Sequence, residues 1–84
     1  MPTIRLKFFA SLREALGPTG QIELPAGSTV GQARDALIAL GAPHSEVLAR
    51  GRAVRAALNQ TLCDEPAVLS DGDELAFFPP VTGG

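Results

Sequence analysis

The sequence contains neither tryptophan nor tyrosine and only four phenylalanines in 84 residues, so its core must be built mainly from aliphatic side chains. Its single cysteine, Cys63, excludes an internal disulfide and favours a reducing compartment. No apolar run approaches the roughly 20 residues that span a bilayer, and the N-terminal residues lack the regions of a signal peptide. These absences predict a cytoplasmic protein with no membrane partner.

Positive charge and ligand-forming side chains are also scarce. The net charge is -2 and the sequence pI is about 5.2, without the basic stripe of a nucleic-acid-binding protein, so we expect no nucleic-acid partner. Zinc-type spacing of Cys and His is absent, as is a glycine-rich phosphate loop, and we expect no metal. The one histidine, His44, is expected to be a solvated loop residue. Cys63 is expected to be a small hydrophobe near a strand.

Hydrophobic alternation predicts several strands. In Thr3–Phe9, the side chains of Ile4, Leu6 and Phe8 fall on one face, which is typical of a half-buried strand. The first two strands are too close in sequence for a long crossover, so we expect them to be antiparallel. The further predicted strands are Gln21–Leu24, Ala53–Asn59 and Glu74–Phe78. Whether Thr61–Cys63 forms one more strand, after a turn at Asn59-Gln60, is left open by the pattern.

The strongest helix signal begins at Thr29, which forms a capping-box pattern with Gln32. The apolar residues that follow at helical spacing, before a stop at Gly41, are Val30, Ala33, Leu37 and Leu40.

A short helix is predicted over Ser11–Gly17, with Leu12, Ala15 and Leu16 sharing one face, and a helical turn is predicted near Val47 and Leu48. The order of elements predicts an α+β domain over residues 1–78, with a mixed sheet packed on one principal helix. Residues 79–84 are predicted to form an extended tail.

The tail ends in FFPPVTGG, a pattern that a frayed terminus does not explain well. Pro79 and Pro80 fix their own φ angles and keep the preceding residues extended, so the tail should leave the sheet in a defined direction. Beyond Val81 and Thr82, the residues Gly83 and Gly84 have no Cβ and can pass through a narrow channel. The Gly84 carboxylate is ionised at neutral pH, with an ordinary pKa of about 3.3–3.7, so a partner must activate it, for example as an acyl adenylate.

The last strand also predicts a docking face. If Leu75 and Phe77 point into the core, Phe78 points outward, and Phe9 likewise lies opposite Phe8 and its buried neighbours. Two exposed phenylalanines on the sheet face away from the helix would form an apolar patch typical of an interface. The alternative is that one of them covers the edge of the core. The acidic turn Asp71–Glu74 is interpreted either as a solvated turn or as a polar contact with a basic partner.

Three segments resemble one known family. DGDELAFFPPVTGG (Asp71–Gly84) is similar to the C-terminal signature of the small subunit of molybdopterin synthase, a ubiquitin-like sulfur carrier. KFFASLREALG (Lys7–Gly17) and ALNQTL (Ala57–Leu62) resemble the same family. The resemblance implies a ubiquitin-like β-grasp fold.

The resemblance also implies a function. An E1-like adenylating enzyme would consume ATP to adenylate the carboxylate of Gly84, and a sulfur donor system would replace AMP to leave a thiocarboxylate. The sulfur would then pass to cyclic pyranopterin monophosphate in the active site of the large subunit, within a heterotetrameric molybdopterin synthase. The chain would bind no cofactor stably and would not be an enzyme on its own, because the catalytic residues would belong to the large subunit.

At the level of residues, the resemblance places Phe78 and Arg13 at the partner interface, and we assign Phe9 and Leu62 to the same interface. Three alternatives remain: a sulfur carrier of the thiamin type, a ubiquitin-like protein modifier, and a plain binding module with an idle tail. The Phe-Phe-Pro-Pro-Val-Thr segment before the glycines favours the molybdopterin carrier over the thiamin carrier. A modifier would form isopeptide bonds through Gly84, and Lys7 is the chain's only lysine.

Overall fold

A computed structural model describes residues 1–80 of the chain. The predicted tail residues Val81, Thr82, Gly83 and Gly84 lie outside the described residues. The strands are β1 (Thr3–Phe8), β2 (Thr19–Glu23), β3 (Arg55–Leu58), β4 (Thr61–Cys63) and β5 (Glu74–Phe78). The helices are α1 (Ala10–Leu16), α2 (Val30–Ile38) and α3 (His44–Val47). None of the helices within this part of the chain is long and apolar enough to cross a membrane.

The strands form one mixed sheet in the order β2-β1-β5-β3-β4. Strand β1 is antiparallel to β2, which confirms the expectation for the first two strands, and it is parallel to β5. Strand β3 is antiparallel to both β5 and β4. The last strand in sequence is therefore the central strand of the sheet.

The core lies between one face of this sheet and α2, and it is mainly aliphatic as predicted. Strand residues such as Ile4 and Leu75 are fully buried there with Ala33 of α2. The rings of Phe8 and Phe77 stack with centroids 6.3 Å apart. Each such aliphatic or phenyl side chain contributes about 1.5–3 kcal/mol when buried, so this face provides most of the stabilisation.

Helix α2 begins as predicted and ends earlier than predicted. Thr29 Oγ1 accepts a hydrogen bond from the Gln32 N–H (3.2 Å), and Gln32 Oε1 accepts one from the Thr29 N–H (2.8 Å), which confirms the capping box. The helix ends at Ile38, and Leu40 is 64% exposed, so its predicted place on the buried stripe is wrong. The chain leaves helical geometry before Leu40 can reach the sheet, because the N–H of Leu40 bonds the carbonyl of Leu37 in a tighter turn.

Two smaller predictions about the helices are wrong. The expectation that His44 is a solvated loop residue is wrong, because His44 is half-buried and begins α3. Ala15 is exposed, because the short helix α1 buries only Leu12 fully and Leu16 in part. Both errors arise because burial in a helix of only one or two turns depends on which neighbouring segment covers it.

A buried arginine connects α2 to the segments on either side of β3 and β4. The Arg34 guanidinium donates to the carbonyls of Leu48 (2.7 Å), Ala49 (2.6 Å) and Arg52 (3.0 Å) and to the Glu65 carboxylate (3.1 Å). Every buried side-chain nitrogen and oxygen in residues 1–80 has such a partner. The hydrogen bonds of the Arg34 guanidinium matter because a buried, unpaired charge is strongly destabilising.

Glu65 also forms an ion pair with a second arginine, the exposed Arg50. Arg50 bonds Glu65 and also Asp35, at 2.8 Å from its carboxylate. Gly31 suits the close approach of α2 to Glu65, since a Cβ there would lie 3.3 Å from the Cβ of Glu65, which is a tight contact. The hydrogen bond from Arg50 is the main cause that lowers the pKa of Glu65, and the hydrogen bond from Arg34 lowers it further. Partial burial of the carboxylate acts in the opposite direction and raises the pKa.

We predict that Glu65→Gln destabilises the fold in a pH-dependent way. Because the folded-state pKa of Glu65 lies below its unfolded value, the stabilisation is present above the ordinary glutamate range and is lost as the pH falls through the folded pKa. With Glu65 nearly half exposed, we expect a loss of about 0.5–1 kcal/mol at pH 7, or a few degrees in Tm.

Thermal unfolding of the variant and the native chain at neutral and strongly acidic pH measures this effect, and the gap in Tm should close in acid. Glu46→Gln is the control, because Glu46 is exposed and forms no ion pair with the described residues. A Tm gap of equal size at both pH values would contradict the prediction.

Candidate docking face

The outer face of the sheet is defined by the side chains that alternate with the core residues. In β5, Leu75 and Phe77 are buried in the core, so Ala76 and Phe78 point to the opposite face. Ala57 lies directly opposite Ala76, and Leu62 lies directly opposite Ala57. The register thus places three apolar side chains in one row across the outer face.

Phe9 and Phe78 extend this row toward the end of the sheet where β5 terminates. Leu62 is 63% exposed and Phe9 is 45% exposed, whereas Phe78 is half-buried. Ala57 is also half-buried and Ala76 is only 5% exposed, so Leu62, Phe9 and in part Phe78 provide the exposed apolar surface, and exposed apolar surface of this kind marks interfaces. We call Phe9, Ala57, Leu62, Ala76 and Phe78 the docking face.

Phe9 is held at this position by the backbone, although β1 ends one residue earlier than predicted. The Phe9 N–H donates to the carbonyl of Phe77 at 3.2 Å, which continues the parallel register in which Phe8 pairs with Phe77. Phe9 therefore lies beside Phe78, one residue further along the parallel β1–β5 register. Ala10 then turns the chain into α1 with φ +53°, in the left-handed region that non-glycine residues seldom adopt.

The root of the tail lies at the end of the same strand. Strand β5 ends at Phe78, and Pro79 and Pro80 follow, both half-buried. Neither proline has an N–H to donate, so the pairing of the central strand stops there. The tail thus begins directly beside the docking face.

Positive side chains lie at the edges of this surface. Arg55 is directly opposite Phe78 in the β3–β5 pair and is exposed. Arg13 is exposed on α1, where its N–H bonds the carbonyl of Phe9 at 3.3 Å. Within residues 1–80, neither guanidinium takes part in an ion pair. The sequence predicted Arg13 at the interface but did not single out Arg55, which the structure places on the face of β3 opposite to the buried Ala56.

The acidic turn before β5 has a structural role that neither interpretation of it anticipated. The Asp71 carboxylate accepts the Thr3 N–H at 2.7 Å. The Asp73 carboxylate accepts the Ser70 N–H at 2.7 Å and the Asn59 amide at 3.0 Å. These bonds join the start of β5 to β1 and to the β3–β4 turn, so they hold the register of the strand that carries the docking face.

Comparison with known proteins identifies the family. Residues 6–84 match the ThiS family. The chain belongs to the ThiS family. It is 44% identical over 82 residues to the molybdopterin synthase sulfur carrier subunit of Escherichia coli (strain K12), an alignment that covers 96% of this chain and 99% of the relative.

Solved structures confirm the fold of this ThiS-family chain. The crystal structure of small archaeal modifier protein 1 from Haloferax volcanii aligns with a TM-score of 0.80 at 31% identity, over 96% of this chain and 100% of that one. A Caldiarchaeum subterraneum ubiquitin aligns with a TM-score of 0.61 at 17% identity, over 99% of this chain and 98% of that one, which supports the fold alone. The ubiquitin-like β-grasp expected from the sequence is therefore confirmed.

The one thiol of this family member lies away from the docking face. Cys63 is half-buried opposite Ala56, beside a cavity of about 100 Å³ that Val30 and Arg34 also line. Burial raises the pKa of the thiol, and the neighbouring Asp64 adds to this effect. No group of three or more His, Cys, Asp or Glu side chains in residues 1–80 could hold a metal ion.

We predict that Cys63 reacts slowly with alkylating agents. Because its pKa is raised in the fold, the thiolate fraction near neutral pH is smaller than in the unfolded chain, and the thiolate is the reactive form. Alkylation by iodoacetamide, followed by mass spectrometry, should be at least severalfold slower in native buffer than in concentrated urea. Equal rates in the two solvents would contradict the prediction.

Proposed function

We propose that this chain is the sulfur carrier subunit of a molybdopterin synthase. The observation that carries the proposal is that the central strand ends with an outward phenylalanine, Phe78, in an apolar docking face, and continues at once into the Pro79-Pro80 root of the tail. Docking of this face on a partner therefore aims the tail at that partner. The identity to the Escherichia coli carrier over nearly the whole chain supports the same function.

The proposed chemistry takes place on the Gly84 carboxylate. An E1-like enzyme joins this carboxylate to the α-phosphate of ATP and releases pyrophosphate, which gives an acyl adenylate. A sulfur donor system supplies the sulfur that displaces AMP, which leaves a thiocarboxylate. This anion is a better nucleophile than the carboxylate, and its sulfur attacks cyclic pyranopterin monophosphate in the active site of the large subunit. Water then hydrolyses the resulting thioester, which breaks the bond between sulfur and the Gly84 carbonyl carbon, leaves the sulfur on the pterin and returns Gly84 to a carboxylate.

The proposal assigns the catalytic side chains to the partners. The carrier contributes the tail and the docking face, and it needs no base, metal or stably bound cofactor of its own. Because the transferred group is an anion, the receiving pocket of the large subunit should contain lysine or arginine. The docking face fits the apolar centre of such an interface, and the exposed arginines fit its polar rim.

The first test concerns the tail. In chain purified from cells that make molybdenum cofactor, intact-mass measurement should show a species heavier by one sulfur-for-oxygen exchange, located at Gly84. Deletion of Gly84 should abolish this species and sulfur transfer and leave the Tm unchanged, because the tail lies beyond the last strand. A deletion variant with full activity would refute the proposed role of Gly84.

The second test concerns the docking face and uses two matched leucines. Leu62 and Leu40 are equally exposed, at 63% and 64%, but Leu40 follows α2 on the opposite side of the sheet. We expect Leu62→Ala to weaken binding to the large subunit by about 1–2 kcal/mol, or roughly fivefold to thirtyfold in Kd, because it removes apolar contact area.

Isothermal titration of the large subunit with each variant measures the difference, and Leu40→Ala should bind like the native chain. Equal loss in both variants, or no loss in either, would show that the outer face is not the interface.

A protein modifier is the second candidate, and the similarity to the Haloferax volcanii modifier is the observation that favours it. In that case the Gly84 carboxyl would form an isopeptide bond with a lysine amine of a target. Ladders of higher mass in cell extracts, lost on deletion of Gly84, would support this function. A carrier of the thiamin type is distinguished by the phenotype of a deletion strain, which would require thiamin and keep its molybdoenzyme activity.

A further inference from the structure

The seven basic residues of the chain divide into two groups by their contacts. Four are engaged within the fold: Lys7 by Glu74, Arg5 by the carbonyl of Gly72, and Arg34 and Arg50 by the Glu65 network. The side chains of Arg13, Arg52 and Arg55 form no hydrogen bond or ion pair with residues 1–80. Of these three, Arg55 lies on the docking-face side of β3, directly opposite Phe78, and Arg13 follows Phe9 on α1.

Arg55 has the closer geometric connection to the tail. It is the direct antiparallel neighbour of Phe78, and the Cβ atoms of such pairs lie about 4.5–5.5 Å apart. Phe9 lies on the other side of Phe78, followed by Arg13 on α1. The root of the tail therefore leaves the sheet beside Arg55, which lies opposite the last residue of the central strand.

This arrangement limits the partners that can cover Phe78. A surface that packs on Phe78 also takes water away from Arg55, and a guanidinium that loses water without gaining an acceptor is strongly unfavourable. Nothing in residues 1–80 supplies that acceptor, since Arg55 has no carboxylate within ion-pair distance there. The partner must supply it.

We propose that Arg55 selects the partner by pairing with a carboxylate on the large subunit beside the entrance for the tail. This inference rests on the proposed function. It adds the chemistry of the partner's rim: acidic side chains around an apolar depression, outside a pocket that is itself positive. The chain has a net charge of -2, so an acidic rim on the partner would repel it overall. The positive charge of Arg55 makes the docking face locally attractive to that rim.

Charge reversal of Arg55, with Arg52 as the matched control, tests this inference. Arg55→Glu and Arg52→Glu change the net charge equally, and Arg52 lies in the loop between α3 and β3, where it is exposed and outside the docking face. Binding of each full-length variant to the large subunit of molybdopterin synthase from the same organism is measured at low and high salt. A neutral variant, Arg55→Gln, is included so that the test remains valid if the glutamate disturbs β3, and Tm values verify folding.

We expect Arg55→Glu to weaken binding about tenfold or more at low salt, because it places like charges opposite each other. Arg55→Gln should weaken it about two- to fivefold, as for a rim ion pair, and Arg52→Glu should stay within about twofold of the native chain. The defect of Arg55→Glu should shrink at high salt.

Native-like binding by Arg55→Glu, or an equal loss in Arg52→Glu, would overturn the role of Arg55 and leave the proposed function intact. Failure of the native chain itself to bind the large subunit would overturn both.

Discussion

The pairing of β5 on both of its edges is the constraint on which the rest of the structure depends. This strand is the last in sequence and the central one in the sheet, parallel to β1 and antiparallel to β3. A strand that is paired on both sides leaves the sheet only along its own axis. The direction in which the chain reaches Pro79 is thus set by the eight residues of β1 and β3 that pair with β5.

The same strand joins stability to recognition through the alternation of its side chains. Phe77 stacks on Phe8 in the core, and its neighbour Phe78 faces outward beside the root of the tail. Because the period is two, a slip of one residue would bury Phe78 and expose Phe77. The hydrogen bonds of Asp71 and Asp73 at the opposite end of the strand oppose such a slip. Recognition at one end of β5 therefore depends on a turn at the other end.

The charged residues are divided between these two tasks. Arg34 is buried and fully hydrogen-bonded, and with Arg50 and Glu65 it connects the helical layer to the β3 and β4 segments. Arg13 and Arg55 are exposed beside the docking face. A chain with a net charge of -2 can therefore present a surface with a basic rim, because its acidic residues are partly used in the core network and in the turn before β5.

The sequence by itself determined the local features: the alternation that buries Ile4 and Leu6, the capping box at Thr29, the outward direction of Phe78, and the family resemblance of the last fourteen residues. These follow from periods of two or 3.6 residues and from contacts three residues apart, which a single segment contains. The structure alone decided the central place of β5, the pairing of Arg55 with Phe78, the hydrogen bond from Thr3 to Asp71, and the exposure of Leu40. The physical reason is that pairing between segments up to 68 positions apart depends on how the whole chain packs, and no local pattern of residues specifies it.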